Sequence, residues 1–165
     1  AVKLSPYFTT LPHLAAKLVE AGADGLVLFN RFLQPDLDIE TMEVLAKANL
    51  STSSELRLPL RWVAILYSRI KADLALTSGI HEAKDVVKAI MAGANVAMTA
   101  SELLAKGPVR AAEILKDLET WMGEHEYETV QQMCGSMSQK AVADPTTFER
   151  ANYMKALSSF DDRLV

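Results

Sequence analysis

Apolar residues in this chain fall into short continuous runs, separated by stretches in which they recur every three or four positions. That is the pattern of buried strands alternating with amphipathic helices. Val2–Ser5 reads as a strand, and Thr9 or Thr10 stands where a helix cap belongs. The helix Leu11–Ala21 follows, with Leu11, Leu14, Ala15 and Leu18 on one face. Ala21-Gly22-Ala23-Asp24 stops it, and Gly25–Phe29 is a second strand, apolar on both sides, with Asn30 at its C-terminal end. The spacing next predicts a helix over Leu60–Lys71 that carries Trp62, Val63, Leu66, Tyr67 and Ile70. Strand Asp73–Thr77 comes after it, then helix Glu82–Ala92, facing inward through Ala83, Val86, Val87, Ile90 and Met91, then strand Asn95–Met98. Pro108 opens a helix to about His125 with Ala112, Leu115, Leu118 and Met122 aligned. Thr129–Met133 is a short helix ended by Gly135, and Pro145–Leu157 reads as a terminal helix after the polar stretch Ser136–Asp144. Residues 31–58 break the rhythm: Arg31–Asp36 and Ser51–Ser54 are loop-like, with a helical or strand reading between them, and so long a connection in a compact unit is usually a lid or binding loop.

Alternating strands and helices predict a parallel sheet with right-handed crossovers. Two of the strands run into turns of small residues, Ser78-Gly79 and Ala100-Ser101, each leading to a helix. Bare backbone N–H groups at such turns can hold a phosphate between them. In a closed barrel this is the phosphate site of the last two strand-helix loops. A (β/α)8 barrel needs eight units and typically about 250 residues, whereas four units are legible in these 165 residues. The predicted fold class is therefore α/β, of the TIM (β/α)8-barrel type, C-terminal half only, with about four βα units plus a helical tail.

Composition narrows the classes of function. Half the residues are hydrophobic and 23% are charged, which suits a globular core. A net charge of −4 with dispersed Lys and Arg argues against a nucleic-acid footprint. The longest apolar runs are too short to cross a bilayer. No basic-then-apolar leader precedes Ala1, so secretion has no support, and because the chain does not start with Met a trimmed or upstream native start is expected. Cys134 is the single cysteine, which excludes a disulfide framework and makes a reducing cytoplasm the expected location. It reads as a small hydrophobe or an idle thiol. His13, His81 and His125 lack metal-ligand spacing, so no metal site is expected. His81, after the first small-residue turn, reads mainly as helix-entry packing, with approach to a bound phosphate as the alternative. Trp62, Tyr67 and Trp121 read as core.

Several of these segments, taken in order, resemble the C-terminal half of the dihydroorotate dehydrogenase barrel. They are Val2-Lys3-Leu4-Ser5-Pro6-Tyr7-Phe8, Leu28-Phe29-Asn30, Thr77-Ser78-Gly79-Ile80, Gly93-Ala94-Asn95, Lys106-Gly107-Pro108 and Glu126-Tyr127-Glu128-Thr129-Val130 through Gly135. The likeness covers roughly residues 2–138. It divides the chain into an FMN-binding half-barrel, 1–138, and a helical C-terminal tail, 139–165, and the tail resembles a divergent branch whose members need not use dihydroorotate.

The resemblance implies an FMN-dependent oxidoreductase that oxidises a dihydropyrimidine-like substrate, of the pyrimidine-biosynthesis type. Lys3 matches the lysine beside the N1/O2 edge of the flavin, where an ammonium stabilises negative charge arriving with hydride. Ser78, Gly79, Ala100 and Ser101 match the two loops whose amides receive the FMN phosphate. Asn30 matches a substrate-binding asparagine. Read without the resemblance, Lys3 is a solvated strand end, Asn30 a turn residue, and the two small-residue pairs plain turns.

The family usually has paired glycines where this chain has Ser78-Gly79, and Gly-Thr where it has Ala100-Ser101. A Cβ there penalises positive φ. Arg31 replaces a small hydroxyl residue after Asn30, a place to meet an extra anionic group on the substrate. The family's catalytic base, a Cys or Ser, lies in the first half of its barrel. No catalytic residue is therefore assigned here, and the isolated chain is expected to be inactive. Partners expected are the missing N-terminal half-barrel or a second copy in a homodimer, plus a small-molecule substrate, with neither nucleic acid nor membrane. The rival readings are another phosphate-gripping barrel enzyme, with Lys3 as base or Schiff-base amine, and a half-barrel scaffold without catalysis.

Overall fold

The protein, described by a computed structural model over residues 1–149 and 153–158, is built on a four-stranded parallel sheet. Its strands are β1 (Val2–Leu4), β2 (Gly25–Leu28), β5 (Asp73–Thr77) and β6 (Val96–Met98), in the spatial order β1-β2-β5-β6. They are joined through helices α1 (Leu11–Glu20), α2 (Arg57–Leu66) and α3 (Ala83–Ala92). Beyond β6 come α4 (Ser101–Lys106), α5 (Val109–Glu124), α6 (Val130–Met133) and α7 (Tyr153–Ser158).

The register sorts the strand residues into two faces. Leu4, Leu28 and Leu76 lie in one cross-strand row, and Leu26 pairs with Leu74 in another; all five are 5% exposed or less. They pack with Leu11, Ala15, Val63, Leu66 and Ala89 from the helices. Lys3, Val27, Ala75 and Val96 form a row on the opposite face, and Thr77 pairs with Met98 on that side. There Val96 stays 52% and Met98 42% exposed. The sheet is thus covered by helices on one side and open on the other, the form of a partial barrel seen from inside. Strand β2, predicted to be apolar on both sides for burial, is covered on one side only.

Element boundaries shift where local chemistry differs from periodicity. Residues 31–58 contain an antiparallel hairpin, β3 (Asp36–Asp38) with β4 (Glu43–Leu45), then a 3-10 turn, Ser53–Leu56, that runs into α2. Thr52 caps that turn in a box with Glu55, so the helix starts three residues before the predicted Leu60 and ends at Leu66. The buried face of α5 is carried by Ile114 with Leu118, Trp121 and Met122 against α3, while Ala112 and Leu115 face solvent. Of the predicted stripe Leu118 and Met122 pack inward, whereas Ala112 and Leu115 lie to the solvent side of Ile114. The predicted terminal helix Pro145–Leu157 is not continuous: Pro145–Phe148 is a 3-10 turn, Glu149 is extended (φ −104°, ψ 172°), and helix resumes at Tyr153. Residues 150–152 of that prediction lie outside the described residues. No helix among the described residues is long and apolar enough to cross a membrane.

Candidate functional site

Parallel strands deliver their C-terminal residues to one rim. Lys3 from β1, Thr77 at the end of β5 with Ser78-Gly79 after it, and Ala100-Ser101 after β6 line a single cleft of ≈ 180 Å³. Among the described residues Lys3 makes no ion pair, so its positive charge is uncompensated in this cleft. An adjoining cleft of ≈ 340 Å³ shares Phe29, Arg31, Thr77 and Ser78 with the first and adds Asn30, Tyr7, Phe32, Leu58 and Pro59. Asn30 therefore stands beside the cluster formed by the other five predicted residues rather than within it. Its backbone N–H donates to Leu4 C=O at 2.6 Å, anchoring it to β1 just after the cis Leu28–Phe29 peptide.

The two small-residue turns differ in conformation. Ser78 holds φ +78°, as does Gly79. A Cβ at Gly79 would run into the backbone of Leu56, so only glycine fits there. Ser78 keeps the left-handed backbone that a glycine would favour, and bears its strain. Ala100 has φ −136°, ordinary for any residue. The penalty expected for a Cβ at both turns therefore applies to Ser78 and not to Ala100.

Arg31 does not serve as an open anion receptor. Its Nε and Nη2 donate to the Glu55 carboxylate at 2.8 and 3.0 Å, Nη2 also reaches Leu50 C=O at 3.4 Å, and Nη1 bonds Asn49 C=O. The pair neutralises itself and ties the end of the 31–58 connection to the rim.

Beneath the cleft lies a connected set of polar side chains that the sequence pattern did not single out. Ser51 N–H donates to Ser101 Oγ at 2.9 Å, and Ser51 Oγ lies 3.1 Å from His81 Nε2. His81 Nδ1 lies 3.0 Å from Glu102 Oε2, and the other Glu102 oxygen pairs with Lys106 Nζ and Arg110 Nε, both at 2.8 Å. The hydrogen bonds from Lys106, Arg110 and His81 pull the Glu102 carboxyl from its ordinary 4.5 down to about 2, so it is ionised at neutral pH. Asp85, 1% exposed, accepts from His81 N–H at 3.1 Å and from Ser53 Oγ at 3.1 Å. Thr99 Oγ1 donates to Ile80 C=O at 2.8 Å. Segments 51–53, 78–81 and 99–102 thereby form one interlocked wall. His81 was legible as a residue after the turn, but Ser51 and Glu102 had no local signal because their partners lie 30 and 21 residues away.

Cys134 is half-buried, with Sγ 4.0 Å from Ala94 C=O, and lies far along the chain from the cleft residues in a separate depression with Ile90, Ala94 and Val130. Among the described residues no group of His, Cys, Asp and Glu could hold a metal ion.

The comparisons with known proteins agree with the fold. The sequence model of the family described as dihydroorotate dehydrogenase matches residues 1–122. The catalytic subunit of dihydroorotate dehydrogenase B (NAD(+)) from Geobacter sp. (strain M21) is 31% identical over 141 residues, covering 82% of this chain and 45% of the relative. The corresponding subunit from Brachyspira hyodysenteriae is 25% identical over 138 residues, again covering 82% and 45%. The chain thus spans about half the length of the curated relatives it matches. Ligand-free DHODH from Eimeria tenella superposes with a TM-score of 0.66 at 23% identity, over 81% of this chain and 38% of that one, which is agreement in fold. The order of four parallel strands, the open inner face and the match through residues 1–122 of 165 lead to one assignment: the chain belongs to the dihydroorotate dehydrogenase family.

Proposed function

We propose that the chain is the phosphate-binding half of an FMN-dependent oxidoreductase resembling dihydroorotate dehydrogenase, acting on a dihydropyrimidine-like substrate in the cytoplasm. The observation that carries this reading is the cleft itself, where an unpaired Lys3 ammonium shares one wall-to-wall space with the Ser78-Gly79 and Ala100-Ser101 turns. The donor set fits FMN. Two backbone turns suit a phosphate dianion, Lys3 suits the electron-accepting edge of a flavin ring, and no unpaired carboxylate lines the space to repel either. FMN, when bound, supplies the two-electron acceptor.

In this reading each residue has one task. Ser78-Gly79 and Ala100-Ser101 receive the phosphate through main-chain N–H groups. Lys3 holds positive charge at the strand end, where negative charge develops. Asn30 presents an amide to the substrate from the neighbouring cleft. None of these groups removes a proton from carbon, so in this reading the chain by itself orients the cofactor and does not complete the oxidation.

Flavin fluorescence during titration of FMN into the purified protein tests the proposal. The expected result is weak saturable binding, with Kd on the order of 1 mM, further weakened in Lys3→Ala and abolished by excess inorganic phosphate. Absence of binding at millimolar FMN, with the fold intact by circular dichroism, overturns it. A Lys3 adduct trapped by borohydride with a phosphorylated carbonyl compound would replace it with the Schiff-base reading.

A further inference from the structure

His81 is held from four directions. Its N–H donates to Asp85 Oδ2 on α3 at 3.1 Å and its C=O accepts from Arg110 Nη2 on α5 at 3.3 Å, so its main chain is fixed at both ends. Its ring lies between Ser51 Oγ at 3.1 Å and Glu102 Oε2 at 3.0 Å. An ionised carboxylate can only accept a hydrogen bond, so Nδ1 of the neutral ring carries the hydrogen and Nε2 is left bare. That bare nitrogen accepts from the Ser51 hydroxyl. Ser51 is itself fixed by its N–H bond to Ser101, is 9% exposed and lines the cleft.

We propose that Ser51 is an activated nucleophile, with His81 as its general base and Glu102 as the positioning residue that sets the His81 tautomer, and that this arrangement cleaves small carboxylic esters entering the cleft. Hydroxyl, imidazole and carboxylate stand in the order and at the spacing that nucleophilic catalysis requires. The Ser51 Oγ bonds to the ester carbonyl carbon while its proton passes to His81 Nε2. Collapse breaks the carbon–oxygen bond to the alcohol, which leaves with that proton. A water molecule, giving a proton to Nε2, then attacks the acyl carbon; the bond from that carbon to Ser51 Oγ breaks, Nε2 returns its proton to Oγ, and the carboxylic acid leaves. The sum is ester plus water giving acid plus alcohol. Lys106 and Arg110 keep Glu102 ionised throughout, and the adjoining apolar cleft, with Tyr7, Phe29 and Leu58, has room for the acyl group. This activity uses none of the flavin chemistry and stands or falls separately from it.

The flavin-free protein is treated with diisopropyl fluorophosphate, the adduct is located by peptide mass spectrometry, and 4-nitrophenyl acetate turnover is measured alongside. A single adduct on Ser51 is expected, with turnover lowered on the order of 100-fold in Ser51→Ala and His81→Gln. Glu102→Gln, whose amide can donate to Nδ1 and reverse the tautomer, should label more slowly than Glu102→Asp, which still accepts. Circular dichroism of each variant verifies the fold. A folded wild-type protein unlabelled at Ser51, or labelled equally fast in His81→Gln, overturns the proposal. Equal rates in Glu102→Gln and Glu102→Asp overturn the positioning role of Glu102.

Discussion

Ser78 carries a backbone conformation suited to glycine, beside a Gly79 that nothing else can replace. The left-handed region costs an L-residue about 1–2 kcal/mol, and glycine forfeits roughly 0.5–1 kcal/mol in chain entropy. Ser78→Gly should therefore stabilise the fold by about 0.5–1 kcal/mol, read as a higher urea midpoint at unchanged slope. A lower midpoint would show that the serine side chain contributes more than its strain removes. Glu102 makes the fold sensitive to acid with a definite sign. Its carboxyl titrates at about 2 when folded against an ordinary 4.5, because Lys106, Arg110 and His81 hold the charged form. Its contribution is complete above about pH 4.5 and is lost as pH falls towards 2. Urea midpoints of wild type and Glu102→Gln should differ most at neutral pH and converge below pH 4.5; a constant gap would contradict the linkage.

At the scale of elements, α2, α3 and α6 meet around one aromatic ring. Gly93, the cap of α3 at φ +116°, and Gly135, after α6 at φ +73°, both lie against Tyr67, and a Cβ at either would enter the ring. Gly22, after α1 at φ +101°, has nothing within 4 Å of a built Cβ. Gly93→Ala should therefore cost more than Gly22→Ala by roughly 1–3 kcal/mol of overpacking, and that excess should shrink in a Tyr67→Ala background. Similar losses at positions 22 and 93 would show that backbone strain alone governs both. The β3–β4 hairpin stands apart from this packing, with Leu37, Ile39, Met42 and Val44 all 66% exposed or more. Asp38 accepts from the N–H groups of Thr41 and Glu40, which closes its turn and lowers its pKa. The Arg31–Glu55 pair ties the end of the connection to the rim. Because an ion pair this exposed contributes under about 1 kcal/mol, Arg31→Ala should leave global stability nearly unchanged while speeding proteolysis within 32–50. A large fall in the global unfolding midpoint would mean that the pair anchors α2 as well.

At the scale of the whole molecule, the open sheet face dominates. Val27, Ala75, Val96 and Met98 lie on it with Lys3, and β1 and β6 end the sheet without further strand neighbours among the described residues. Neither edge is blunted by proline or bulges in the way that monomers protect such strands. We propose that the isolated chain associates through this face, most simply as a two-fold dimer. Light scattering at tens of micromolar should give twice the chain mass, and Val96→Lys, placing a charge on the open face, should shift it to monomer. A stable monomer of wild type would overturn the proposal.

Much of this architecture was legible because parallel strands and their covering helices are specified locally. Leu26, Leu28, Leu74 and Leu76 had to be buried wherever the chain put them, Gly93 had to end a helix, and small residues after β5 and β6 had to make turns. The same reasoning placed Lys3, Ser78, Gly79, Ala100 and Ser101 at strand ends, and a common rim for parallel strands brings them into one cleft. It left residues 31–58 open between helix and strand and missed the break in the tail, because the hairpin, the capping box and the extended Glu149 follow no hydrophobic period. It also could not assign Arg31, whose charge meets Glu55 instead of a ligand, or the Ser51–His81–Glu102 set. Periodicity reports which face of an element avoids water, and that much the sequence determined alone. Which polar groups meet across three separate loops is a matter of distances between elements, and only the tertiary structure decided it.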